Sequence, residues 1–104
     1  ESRGLGDVYK RQGDEKQLFC REKPLALSPN ELKMLLFLMR GEGKAFSRDE
    51  LLTHIWGYND EVETRVTDET LRRIRSKLSS ADSKVQIETV WGYGYRLRSD
   101  GGGK

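Results

Sequence analysis

An α+β fold is predicted for this 104-residue chain: a core of three helices, with a short antiparallel sheet before it and a β-hairpin after it. Three observations predict it. Two serine-led segments, Ser28-Pro29-Asn30-Glu31 and Ser47-Arg48-Asp49-Glu50, each precede an apolar run. In both, the serine and the glutamate can each accept a hydrogen bond from the other's backbone N–H, which is a capping box at a helix start. The run 65–78, RVTDETLRRIRSKL, carries Leu71, Ile74 and Leu78 at spacings of three and four, which is one helical face. Near the end, Val85–Val90 and Tyr95–Arg98 flank Trp91-Gly92-Tyr93-Gly94, whose glycines permit the positive φ of a tight hairpin turn.

The elements follow in order. Residues 1–16, ESRGLGDVYKRQGDEK, are rich in glycine and charge and have no usable period. They read as a tail, a weak first strand or a non-native leader such as a tag or cloning remnant. Gln17–Cys20 and Pro24–Leu27 suit a small hairpin about the turn Arg21–Lys23. Ser28 caps the first helix, Pro29 fits its first position, and Leu32, Leu35, Leu36 and Met39 form its apolar face before Gly41 and Gly43. Leu51, Leu52 and Ile55 give a second, short helix. A polar loop, 56–64, leads to the third helix, 65–78. Residues 79–84 turn the chain into the terminal hairpin, and 99–104 are a tail disordered by composition. The domain is therefore 17–98. Three helices followed by a hairpin make a winged helix-turn-helix.

Composition narrows the function. Net charge is +2 with pI about 8.8, so any nucleic-acid binding must come from charge placed on one face. Cys20 is the only cysteine and His54 the only histidine, so no disulfide, metal site or cofactor is expected; Cys20 reads as a small buried apolar residue. No apolar run approaches the roughly 20 residues that cross a membrane, and no signal peptide is visible, which makes a cytoplasmic protein the expectation. No catalytic constellation is present, so an enzyme is not expected. Gly92 and Gly94 lie in a hairpin rather than in the strand-to-helix turn of a phosphate loop.

The face opposite Leu71, Ile74 and Leu78 carries the candidate chemistry. Arg65, Arg72, Arg73, Arg75 and Lys77 stand against only Asp68 and Glu69, which suits a nucleic-acid backbone. Glu69, Arg72, Arg73, Ser76 and Lys77 are the groove-facing candidates. Arg73 is the first choice for base reading, because its fork can bond guanine O6 and N7 together, worth ~1–3 kcal/mol of discrimination. Arg72 stands beside it. Glu69 either accepts from cytosine N4 or pairs with Arg72 or Arg73. Duplex RNA is disfavoured, since an α-helix cannot enter the major groove of an A-form helix.

Four segments, PLALSPNELKMLLFL (24–38), FSRDELLTHIWGY (46–58), RVTDETLRRIRSKL (65–78) and IETVWGYGYRL (87–97), resemble the effector domain of OmpR/PhoB-type response regulators. These are the DNA-binding output halves of bacterial two-component systems. The resemblance implies a third helix in the major groove of double-stranded DNA and a wing at the adjacent minor groove. It implies phosphate contacts from Trp56, Arg65, Thr70, Arg72, Arg75 and Thr89, with Lys77 joining them by charge, and base reading by Arg73. It implies that loop 56–64 meets an RNA polymerase subunit. A receiver domain is expected to be missing from this chain, which would be a monomer in solution that pairs head-to-tail on DNA. In the wing, Trp91, Tyr93 and Arg96 are the candidate contacts. Relatives often carry Arg where Trp91 stands, and Thr-Val where this chain has Val66-Thr67. Thr67 faces the core, so its hydroxyl needs a partner or costs stability. The expected function is sequence-specific duplex DNA binding as the output domain of a two-component transcriptional regulator. The competing function is a winged helix that docks a protein.

Overall fold

The structure, a computed structural model, describes residues 3–13, 16–41, 43–57 and 63–99. Its α+β architecture is the winged helix-turn-helix: a four-stranded antiparallel sheet, three helices, and a three-stranded antiparallel sheet that ends in the wing.

The first sheet has the order β1-β2-β3-β4, with β1 at Arg3–Leu5, β2 at Val8–Lys10, β3 at Phe19–Cys20 and β4 at Lys23–Pro24. The stretch before residue 17 is thus more than a tail, because residues 3–10 form a hairpin and Val8 is fully buried. The turn of that hairpin is also stitched to the far end of the chain. Asp7 accepts from the Ser83 hydroxyl at 2.6 Å and from the Lys84 N–H at 3.0 Å. The β3–β4 hairpin is tighter than the sequence suggests, since Arg21 and Glu22 alone form its turn, with φ of 50° and 77°. Two positive-φ residues are what a two-residue hairpin requires. Arg21 then donates to the carbonyls of Ala81 and Asp82 at 3.0 and 2.5 Å.

Helix α1 spans Pro29–Arg40 and α2 spans Arg48–Trp56, and both capping boxes form in full. The buried face of α1 is Glu31, Met34, Leu35 and Leu38, while Leu32, Leu36 and Met39 are only partly buried. That is a rotation of the expected face. The helix is apolar nearly all round, so its pattern leaves the buried side open, and tertiary packing selects it. Glu31 can lie inward because Lys77 meets it there at 2.6 Å.

Helix α3 spans Arg65–Ser80, two residues longer than expected, and buries Thr67, Thr70, Leu71, Ile74 and Leu78. Ala45–Ser47 form β5, which pairs with β7 (Gly94–Ser99), and β7 pairs with β6 (Val85–Val90). A Cβ at Gly94 would lie 1.9 Å from the Phe46 carbonyl oxygen, so only glycine lets β5 approach the base of the wing. At the wing's turn Gly92 takes φ 75°. Val85, Ile87 and Leu97 point inward from this sheet and join residues of all three helices in one core.

Candidate nucleic-acid interface

The apolar stripe of α3 fixes which way its charges face. With Leu71, Ile74 and Leu78 in the core, Arg65, Glu69, Arg72, Arg73 and Ser76 are exposed on the opposite side. The side chains of Arg65, Arg72 and Arg73 are 80%, 70% and 55% exposed. Glu69 sits among them, with Oε1 at 3.3 Å from Arg72 and 3.7 Å from Arg73. Arg65 has Glu63 at 3.6 Å, both in open solvent, where such a pair is weak.

Other expected contact residues stand elsewhere. Thr70 is buried beside Leu71 on α3. Lys77 donates to buried Glu31, which also caps Ser28, and its charge is thereby engaged between α1 and α3. Burial pushes the Glu31 carboxyl up, but hydrogen bonds from Lys77 and the Ser28 N–H, with the charges of Lys77 and Arg73, outweigh it and leave the pKa below the ordinary 4.5. Arg75 turns toward the wing, donating from Nε to the Ile87 carbonyl at 3.0 Å and from Nη2 to the Thr89 hydroxyl at 2.9 Å. Two residues expected to grip phosphate separately therefore hold each other. Trp56, half-buried, closes α2 beside the core. Residues 58–62, the middle of the loop on which a polymerase contact is expected, lie outside the described residues.

At the wing's turn Trp91 is 90% exposed and Tyr93 51%. Neither brings a cation. Arg96 is bound to Glu88, donating from Nε and Nη2 to one carboxylate oxygen at 2.9 and 2.7 Å. The hydrogen bond from Arg96 holds Glu88 below its ordinary pKa, and Arg98 adds to the charge at 3.8 Å. The wing's cationic side chains near Glu88 are thus engaged within the hairpin.

One cluster was not legible as a site. Asp68 accepts from the Tyr95 hydroxyl at 2.6 Å through Oδ1 and from Arg48 through Oδ2. The one sequence signal was Arg48 itself, a cation in the first turn of a helix, where the macrodipole disfavours positive charge. Elsewhere, the exposed His54 stacks on Phe37 with centroids 3.8 Å apart, and Cys20 is buried with Sγ 3.9 Å from the Ala81 carbonyl. Among the described residues no His, Cys, Asp and Glu group could hold a metal ion, and no helix is long and apolar enough to cross a membrane.

Comparison with known proteins agrees with this geometry. A family model described as "Transcriptional regulatory protein, C terminal" matches residues 22–97. The chain is 41% identical over 81 residues to the phosphate regulon transcriptional regulatory protein PhoB of Escherichia coli, covering 78% of this chain and 35% of that protein. It spans about a third to two fifths of the length of the curated relatives it matches. Among solved structures it is similar to the DNA-binding domain of response regulator AdeR in complex with an intercistronic region, with TM-score 0.79 and 25% identity over 92% of this chain and 98% of that one. The Klebsiella pneumoniae RstA DNA-binding domain in complex with the RstA box gives TM-score 0.76 and 27% identity, covering 93% and 96%.

Proposed function

The chain belongs to the family of transcriptional regulatory protein C-terminal domains, regulators rather than enzymes, and from that premise we propose that it binds duplex DNA sequence-specifically as the output domain of a two-component regulator. The observation that carries this is the set of three exposed arginines, Arg65, Arg72 and Arg73, opposite the buried stripe of α3. The complexes formed by AdeR and RstA support it by similarity.

In the proposed complex α3 lies in the major groove. Arg73 reads guanine through its two-pronged fork, and Arg72 reaches either the neighbouring base or a phosphate. Arg65 and the Trp56 indole N–H hold the backbone. Glu69, which shares Arg72 and Arg73 in the free protein, exchanges one of them for cytosine N4. Arg75 and Thr89 shape the surface between helix and wing. Trp91 packs on sugar edges at the minor groove, where it cannot supply the charge of an arginine. Two copies pair head-to-tail on half-sites about one helical turn apart, from a monomer in solution. A receiver domain elsewhere in the full protein governs that pairing, loop 56–64 meets a polymerase subunit, and the work is done in the cytoplasm.

Selection of bound duplexes from a random pool tests the reading. The expected product is an enriched half-site repeated about one turn apart. Recovery of no preferred duplex, or equal retention of duplex RNA, would overturn it. A protein-docking role is the second reading, favoured by the 90% exposure of Trp91. Salt separates the two, because phosphate contacts weaken steeply with ionic strength and an aromatic anchor does not.

A further inference from the structure

We propose that Asp68 is a positioning residue: by gripping Arg48 of α2 and Tyr95 of β7 at once, its carboxylate registers the first turn of α3 against the wing. This rests on the DNA-binding reading above for its consequence, though not for its geometry.

Helices α1 and α2 each open on a serine in extended conformation that completes a capping box. Helix α3 does not. Its N-cap, Thr64, has φ −56° and ψ −30°, already helical, and makes no side-chain cap bond. The turn that carries Arg65 and leads to Glu69, Arg72 and Arg73 therefore lacks the local anchor that the other helices have.

Asp68 supplies an anchor from outside the helix. Its Oδ1 takes the Tyr95 hydroxyl at 2.6 Å and its Oδ2 takes Arg48. Arg48 is the first residue of α2, and Tyr95 pairs with Phe46 of β5 and Thr89 of β6. One carboxylate thus joins α2, α3 and the base of the wing. Arg72, one turn further along α3, engages Glu69 instead. The Arg75 guanidinium lies 5.5 Å above the Tyr95 ring and closes the junction from the other side. Burial, and then the hydrogen bond to Asp68, push the Tyr95 hydroxyl above its ordinary pKa of 10, so it remains a donor at neutral pH.

The sign of one substitution separates this from simple electrostatics. A carboxylate beside DNA repels phosphate, so Asp68→Asn should tighten binding if charge alone mattered. If Asp68 positions the helix, the same change should weaken binding. Tyr95→Phe keeps the ring and removes only the hydroxyl, and it should act in the same direction.

The test uses the whole 104-residue chain, with a random-sequence duplex and the duplex recovered by selection as probes. In the free protein, both variants should exchange the amides of residues 65–69 about tenfold faster, while residues 74–78 keep their protection. On the selected duplex both should bind about tenfold more weakly, with the salt slope of the parent. The double variant should lose little more than Asp68→Asn alone, because the bond that Tyr95→Phe removes is one of the two that Asp68 makes. Tighter binding by Asp68→Asn, unchanged exchange in Tyr95→Phe, or additive losses in the double variant would each overturn the proposal. Should Asp68→Asn fail to fold, Tyr95→Phe decides alone. Should the parent bind neither duplex, the DNA reading fails while the exchange arm still decides the role of Asp68.

Discussion

Lys77→Met and Arg72→Ala remove the same formal charge from the same helix, and the structure requires them to behave differently. The logarithm of DNA affinity falls with the logarithm of salt by about 0.9 for each phosphate neutralised on B-form DNA. If all five cations of α3 met phosphate, one domain would show a slope of about −4.5. The proposed complex leaves three of them out of that count. Lys77 is 2.6 Å from buried Glu31, Arg75 is tied to Ile87 and Thr89, and Arg73 is assigned to a base. Arg65 and Arg72, with Arg72 taking a phosphate rather than the neighbouring base, remain, for a slope of about −1.8 per domain and about −3.6 for a pair on tandem half-sites. Arg72→Ala should then flatten the slope by about 0.9 per domain. Lys77→Met should leave it unchanged and instead cost about 2 kcal/mol of folding stability, because it leaves a buried carboxylate without its cation. Anisotropy titrations of a labelled duplex from about 50 to 300 mM salt measure the first quantity, and urea unfolding the second. A Lys77→Met protein of parental stability whose slope had flattened by one phosphate would refute the reasoning.

Three further outcomes are expected. Thr67 is fully buried and its hydroxyl has no hydrogen-bond partner in the protein, so Thr67→Val should stabilise the fold by about 1 kcal/mol in urea unfolding. Stability should fall in acid. Glu31 and Asp7 both lie below their ordinary values of 4.5 and 3.8 when folded, so the unfolded chain takes up protons first; their contribution is whole above about pH 4.5 and is lost as the pH drops on through the lower folded values. Unfolding between about pH 7 and 3 reads this, and Lys77→Met should shallow the fall. Finally, Arg73→Ala should flatten the base preference at one position by ~1–3 kcal/mol in a selected-duplex competition while sparing non-specific affinity.

The parts of the fold that were legible are those whose cause is local. Each capping box needs only four consecutive residues, and both form as read, with all four bonds at 2.8 to 3.3 Å. The stripe of α3 and the wing hairpin are likewise written in neighbouring residues. What escaped has causes far away in sequence. Strand β5 has three residues, too few to show a period, and exists because β7 pairs with it. The hairpin at 3–10 is held by Val8 in the core and by Asp7 bonded some 76 residues away. Glu31 is legible as a cap, but its second partner, Lys77, is 46 residues on. The site divides the same way: the exposure of Arg72 and Arg73 follows from helical period, whereas the diversion of Lys77 and Arg75 depends on where Glu31 and Thr89 come to lie.

That diversion bears on how a nearly neutral chain can present a cationic face at all. With 19 lysines and arginines against 17 acids, total charge cannot do it. The arrangement can, because several of the acids close to α3 are paired away from its exposed arginines. Asp68 is turned to Arg48 and Tyr95, and Glu31 lies beneath with Lys77. Glu88 faces Arg96 and Arg98 inside the wing. Glu69 remains among the exposed arginines, shared between two of them at the loose distances of 3.3 and 3.7 Å, and Glu63 stands 3.6 Å from Arg65 in open solvent. Some cations are given up in those pairings, namely Arg48, Lys77, Arg96 and Arg98, while Arg65, Arg72 and Arg73 keep most of their side chains exposed. A charge change near α3 therefore acts through the pair it belongs to. Removing an acid from an internal pair frees a cation in the wrong place and loosens the scaffold, whereas removing Glu69 changes the field that DNA would meet.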